Sequence, residues 1–134
     1  MNTKLEYYAD AFKKNQDEIN EEKMMQEIIL CIIDDKDILI DGTRMEDGSI
    51  DPAHIQVDTD DNRFYFHVYT SKTRFDACKA KKAYVLKLKN LLTPIFQEDT
   101  FGGITINYSK NEEVVLVTKE NIYSHLNAYL LENK

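Results

Sequence analysis

Six consecutive residues, Phe64-Tyr65-Phe66-His67-Val68-Tyr69, constrain this chain more than any others. Strand side chains alternate between the two faces of a sheet, so Phe64, Phe66 and Val68 face one way. Tyr65, His67 and Tyr69 then face the other. Large side chains on both faces predict a central strand, covered on at least one side and partly on the other. Residues 54–57 form the partner arm across Asp58-Thr59-Asp60-Asp61-Asn62, a hairpin signature. A strand of this kind needs helices and further strands around it, and the rest of the chain supplies both.

Helical spacing of Leu5, Tyr8, Ala9 and Phe12 predicts a helix over 3–14. A second helix is expected over 21–33, capped by Asn20, with Glu21 and Glu22 in the first turn where the dipole favours carboxylates. Its β-branched tail, 28–33, would also pass for a strand. Ile38-Leu39-Ile40 reads as a short strand, and 41–52 as a polar loop closed by Pro52. Thr70 or Ser71 caps a helix through about Lys79. Residues 83–86 read as a strand. Leu88, Leu91, Leu92, Ile95 and Phe96 mark a helix that Pro94 is expected to end or kink. Residues 104–107 and 114–117 form a second hairpin, and Thr118 caps a last helix bearing Ile122, Leu126, Tyr129 and Leu130. The expectation is an α+β fold. It has a mixed or antiparallel sheet of about five to six strands, packed with N-terminal, middle and C-terminal helices.

At 134 residues the chain is one domain long, 1–134, with 1–19 as a helical N-terminal extension and nothing left for a second domain. No apolar run is long enough to span a bilayer, and no signal peptide precedes the first helix, so no membrane partner is expected. Cys31 and Cys78 are too few for a disulfide scaffold and lie in no metal-like spacing, which points to a reducing cytoplasm.

The charge is uneven. Residues 1–62 carry 6 basic and 17 acidic side chains, a net of -11; residues 63–134 carry 11 and 7, a net of +4. An acidic total of -7 disfavours nucleic acid. Yet Lys72, Arg74, Lys79, Lys81, Lys82, Lys87 and Lys89 form a basic run opposed locally only by Asp76. Such a run is either a solvated face or a docking patch for an anionic partner, which includes a second copy of the chain as a homodimer.

Chemistry is sparse. Residues 58–62 begin like a calcium loop, but Arg63 stands where its glycine belongs and Tyr69 where its bidentate glutamate belongs, so a hairpin turn fits better. The three histidines form no zinc-like pair, and no cofactor is implied. His67 and Cys78 would serve catalysis only in a cleft beside a carboxylate. The lysines near Cys78 could lower its pKa, though a quiet thiol is the simpler reading. Gly102-Gly103 precedes a strand rather than a helix, so backbone freedom explains the pair better than a phosphate cradle.

Three segments carry a family resemblance. Val68-Tyr69-Thr70-Ser71 resembles the apolar strand ending in Phe-Thr-Ser before a helix in the SseB N-terminal domain family of bacteria. Gly102-Gly103-Ile104-Thr105-Ile106-Asn107 resembles that family's Gly-Gly-Leu-Val-Ile-Asn, with Tyr108-Ser109 in place of its following Pro-Gly. Residues 115–122 are similar to its closing strand and capped helix. The likeness covers about 20–131. It implies a bacterial, cytoplasmic protein of a family with no established enzyme activity or cofactor, read as a non-enzymatic, regulatory or immunity-type module that binds another bacterial protein. The expected surface comprises Tyr69, Thr70, Ser71, Arg74, Lys79, Lys81, Lys82, Gly102, Gly103, Asn107 and Tyr108. The alternative is a small anionic ligand held at the strand ends by Thr70, Ser71, Arg74, Gly102 and Gly103.

Overall fold

The computed structural model describes residues 2–56 and 62–133. Helix α1 (Thr3–Lys14) buries Leu5, Ala9 and Phe12, one stripe at helical spacing, against α2 (Glu18–Ile33) and the sheet. Removing Leu5 and Phe12 from water contributes about 1.5–3 kcal/mol each. The segment expected as an extension therefore supplies part of the core. Helix α2 starts earlier than Asn20. Asp17 is the cap, its Oδ1 accepting from the Asn20 N–H at 2.8 Å, while the Asn20 amide donates to the Asn15 carbonyl. The carboxylate one turn upstream reaches the free N–H groups first.

Strand β1 (Asp37–Arg44) continues past Ile40 and pairs Gly42–Pro52, Thr43–Asp51 and Arg44–Ile50 with β2 (Ile50–Pro52). The polar loop expected over 41–52 is thus corrected to a hairpin turned at Asp47-Gly48. Residues 43–49 are exposed, so no apolar alternation advertises the strands. Strand β3 (His54–Gln56) pairs with β4 (Phe64–Tyr69), as expected; the calcium-like pattern and hairpin turn expected over 58–62 fall almost wholly on residues 57–61, which lie outside the described residues. Next come α3 (Lys72–Ala77), capped by Ser71, and β5 (Ala83–Lys87), which pairs with β1. Helix α4 (Leu88–Gln97) tolerates Pro94 and continues to Gln97. Beyond Pro94, the Lys119 ammonium donates to the carbonyls of Ile95 and Glu98. Strands β6 (Phe101–Ile106) and β7 (Val115–Thr118) pair antiparallel, and Thr118 caps α5 (Lys119–Glu132).

The described residues form a seven-stranded mixed sheet, one strand more than expected because of β2. Strands β1 and β4 pair antiparallel only at Leu39–Tyr69 and Ile40–Val68. Beyond that they diverge, and Ala53 fills the gap, donating to the Asp41 carbonyl and accepting from the His67 N–H. On its other side β4 runs parallel to β6.

The alternation along β4 holds. Phe66 and Val68 join Ile38, Ile40, Ile104 and Ile106 in the main core under α1, α2, α4 and α5. On the opposite face the described residues form a smaller apolar cluster, Leu39, Tyr69 and Phe75, under α3, and Tyr65 is fully buried beside Gly102. That outer face is where polar groups collect.

Candidate functional site

Because β4 and β6 are parallel, their ends lie side by side, with Thr70 next to Asn107. Asn107 turns the chain at φ 52°, which its side chain tolerates. Its Oδ1 accepts from the Thr70 N–H and its Nδ2 donates to Thr70 Oγ1, both at 3.0 Å. The Thr70 and Ser71 hydroxyls donate in turn to Glu6 Oε1 on α1, at 2.7 and 2.9 Å. Arg74 grips Asp10 with both terminal nitrogens, and its Nε lies 3.8 Å from Glu6. The chain's own carboxylates thus fill the place expected for an external anion.

Gly102 and Gly103 do not join this cluster. They lie at the other end of β6, where Gly103 pairs with Tyr65. A Cβ on Gly102 would sit 2.5 Å from the Tyr65 ring, and one on Gly103 would sit 2.0 Å from the Val117 carbonyl, at φ 155°. The glycines serve close packing, and a ligand site built from all five residues is not assembled.

A cavity of about 440 Å³ opens instead on the outer sheet face, between β4, the Cys78–Ala80 turn and the loop Tyr108–Asn111. Asp41, His67 and Tyr69 form its floor. They share a face because Leu39 pairs with Tyr69, which puts Asp41 and His67 in the same row. Tyr108 stacks flat on the His67 imidazole, 4.3 Å between centroids and 12° between planes. His67 Nδ1 lies 2.6 Å from Thr105 Oγ1. Thr105 is fully buried, and its hydroxyl proton has no other acceptor among the described residues. The network therefore assigns Nδ1 as acceptor and places the ring hydrogen on Nε2. His67 and Tyr69 are only 5% and 3% exposed, yet neither Nε2 nor the phenol hydroxyl has a partner among the described residues.

Burial sets the protonation of this floor. It pushes His67 down to about 4, with His54 adding repulsion, so the imidazole is neutral near pH 7. It pushes the Tyr69 phenol up, keeping it a donor. Burial also pushes the Cys78 thiol up and outweighs the lowering by Lys13 and Arg74. That thiol donates to the Asn107 carbonyl at 3.5 Å. Asp41 is engaged by the backbone N–H groups of Lys81 and Lys82, at 3.2 and 3.0 Å. A histidine, a cysteine and a carboxylate do share the cleft, without the thiolate–imidazolium pair that nucleophilic chemistry requires.

The basic run is more neutralised than its sequence implies. Lys72 pairs with Asp76, Arg74 with Asp10, and Lys87 and Lys89 with Asp35. Lys79, Lys81, Lys82 and, across the cavity, Lys110 form no ion pair among the described residues; Lys82 sits 5.6 Å over the Tyr84 ring. Lys79 and Lys110 line the cavity itself. Lys110, Asp41 and Thr105 are the groups that sequence reasoning missed. Only Asp41 left a signal, two residues beyond Leu39 on the same strand face.

A larger hollow of about 550 Å³ beside α1 is lined by Asn2, Glu27 and four residues of the Asp34–Asp37 turn, with Cys31 below. Its buried amide is satisfied, because Asn2 Nδ2 donates to the Asp37 carbonyl at 2.7 Å. Among the described residues no cluster of three metal-ligating side chains occurs, and no helix is long and apolar enough to cross a membrane.

The molecule is thus an α+β protein with helices on one sheet face and a half-covered, donor-lined cavity on the other. Compared with protein-family models, with curated proteins and with solved structures, the chain shows no match.

Proposed function

We propose that this chain is a non-enzymatic protein-interaction module, regulatory or immunity-type, that docks an acidic surface of another bacterial cytoplasmic protein. The observation that carries the reading is the residue of unpaired charge. Most of the basic run is neutralised inside the fold, while Lys79, Lys81, Lys82 and Lys110 form no ion pair among the described residues; Lys79 and Lys110 line the outer-face cavity, Lys81 lines the neighbouring hollow beside Asp41, and Lys82 lies over Tyr84. Charge left over in one place steers an anionic partner and raises its rate of encounter. Tyr108 beside these lysines adds the amphipathic surface that interfaces favour. Raised Cys78 and lowered His67 pKa values support binding rather than catalysis. The likeness to the SseB N-terminal domain is part of this proposal; its three segments meet in the sheet at β4, β6 and β7.

The test is affinity capture from native lysate beside a Lys79→Glu, Lys81→Glu, Lys82→Glu variant shown to fold by circular dichroism. Any captured protein is then purified and titrated at rising salt. Stoichiometric, salt-sensitive binding lost in the variant is expected. Binding that survives the reversal moves the interface off this face. If the only complex seen in sedimentation is a homodimer, the partner is a second copy.

A further inference from the structure

We propose that the outer-face cavity is a carboxylate-binding site, with His67 Nε2–H and the Tyr69 hydroxyl donating from its floor and Lys79 and Lys110 at its mouth. The proposal deepens the docking reading above and rests on it, since it names the group that a partner would insert.

Four observations carry it. First, two polar side chains more than nine-tenths buried line one cavity with unpartnered polar atoms. Both polar atoms stay within reach of solvent through the cavity, so a bound polar group takes the place that water otherwise fills. Second, both are donors. The Thr105 hydroxyl fixes the imidazole tautomer, and the Tyr69 phenol stays protonated. Third, Asp41, the one carboxylate in the lining among the described residues, already accepts two backbone N–H groups, so it does not saturate the floor. Fourth, the charge count selects the ligand. Two ammonium groups against one carboxylate leave a single net positive charge around a neutral imidazole. That favours an anionic group, and the two oxygens of one carboxylate match the two donors of the floor. Glu6, held by the Thr70 and Ser71 hydroxyls beside Arg74, shows the same recognition chemistry within the chain, at the neighbouring strand end.

The carboxylate can come from an acidic side chain of a protein or from a free acid, and the experiment separates these sources. Labelled protein is titrated by NMR with an acetylated, amidated Ala-Glu-Glu-Ala peptide, its Gln-Gln counterpart, glutarate and inorganic phosphate at constant ionic strength. Saturable shifts of the His67 and Tyr108 ring signals are expected with the glutamate peptide and not with the glutamine peptide. Tyr69→Phe, which removes one oxygen and keeps the packing, should weaken binding about fivefold to tenfold. His67→Asn provides a second variant of the floor. No saturable shift with any acid, affinity unchanged in both variants, or phosphate binding tighter than the carboxylates would each overturn the proposal. If glutarate binds and the peptide does not, the carboxylate site stands and the protein-docking reading falls. If a captured partner docks through the lysines with Tyr69→Phe and His67→Asn unchanged, docking stands and this inference falls.

Discussion

Asn107 holds Thr70 from both ends of one amide: its oxygen takes the Thr70 backbone N–H and its nitrogen gives a hydrogen to the Thr70 hydroxyl, each across 3.0 Å. The clamp joins the ends of two parallel strands, and the Thr70 hydroxyl in turn donates a hydrogen bond to Glu6. Asn107→Gly keeps the positive φ but strands two buried groups, a loss of about 2–3 kcal/mol in denaturant unfolding. Asn107→Ala should lose about 1 kcal/mol more, because alanine resists that backbone region. Equal losses in the two variants would show that the backbone conformation contributes nothing.

The buried imidazole makes stability depend on acid. His67 titrates at about 4 in the folded chain against 6.5 as a free imidazole, so the unfolded state takes up a proton first. Stability therefore falls as pH drops from about 6.5 to about 4, by up to about 3 kcal/mol from this group. His67→Gln should flatten that stretch of the pH profile relative to wild type. His125 acts oppositely. Burial lowers it, but the Glu22 carboxylate and the Asn121 carbonyl outweigh that and hold it above the ordinary value. Its contribution is present below pH 6.5 and fades as pH rises through the raised folded value, a trend that His125→Gln should remove.

The two glycines of β6 should fail differently. Gly103→Ala drives a methyl into the Val117 carbonyl, which β7 holds in place, and should cost about 3 kcal/mol or more. Gly102→Ala meets the Tyr65 ring instead. Tyr65→Leu should therefore rescue part of the Gly102→Ala loss and none of the Gly103→Ala loss, read as coupling in a double-mutant cycle. Identical coupling for both would refute this assignment.

Arg74 and Asp10 are each about a third exposed, so their pair is worth about 1 kcal/mol at low salt and less at 0.5 M. Arg74→Lys should recover little of it, because a single ammonium cannot reproduce the two-pronged grip. Full recovery by lysine would mean that net charge alone matters here.

The thiols should be slow. Burial raises Cys31 to about 11 and also raises Cys78, so at pH 8 both are mostly protonated. A disulfide reagent should modify the folded chain at least about tenfold more slowly than the unfolded one, with Cys78 reacting before the fully buried Cys31. Rapid modification of Cys78 in the folded chain would contradict its assigned protonation.

Much of the architecture was legible because it rests on local period. The alternation in 64–69 placed β4 in the middle and assigned both of its faces, and Thr70-Ser71 and Thr118 announced their helices as caps, Ser71 being the one used. What escaped was set by partners distant in sequence. Strand β2 is polar and solvated, so nothing in its composition distinguishes it from a loop. The basic run looked free because Asp35, Asp41 and Asp10 approach it only through the fold. His67 and Tyr69 were visible as neighbours on one face, but the flat contact with Tyr108 depends on the left-handed turn at Asn107, which no local spacing encodes.

The docking of α1 sets an order of events for folding. Glu6 is bonded to Thr70 and Ser71, 64 and 65 residues further along the chain, and Thr70 is itself clamped by Asn107 from β6. On a ribosome α1 emerges long before its anchors, and a lone twelve-residue helix is marginal in water. It can pack on α2 early, but its bonds to Thr70 and Ser71 form only once β4 and β6 have paired across their long connection. That parallel pair closes a long loop, and the Glu6 bonds to Thr70 and Ser71 are the contacts that report its closure.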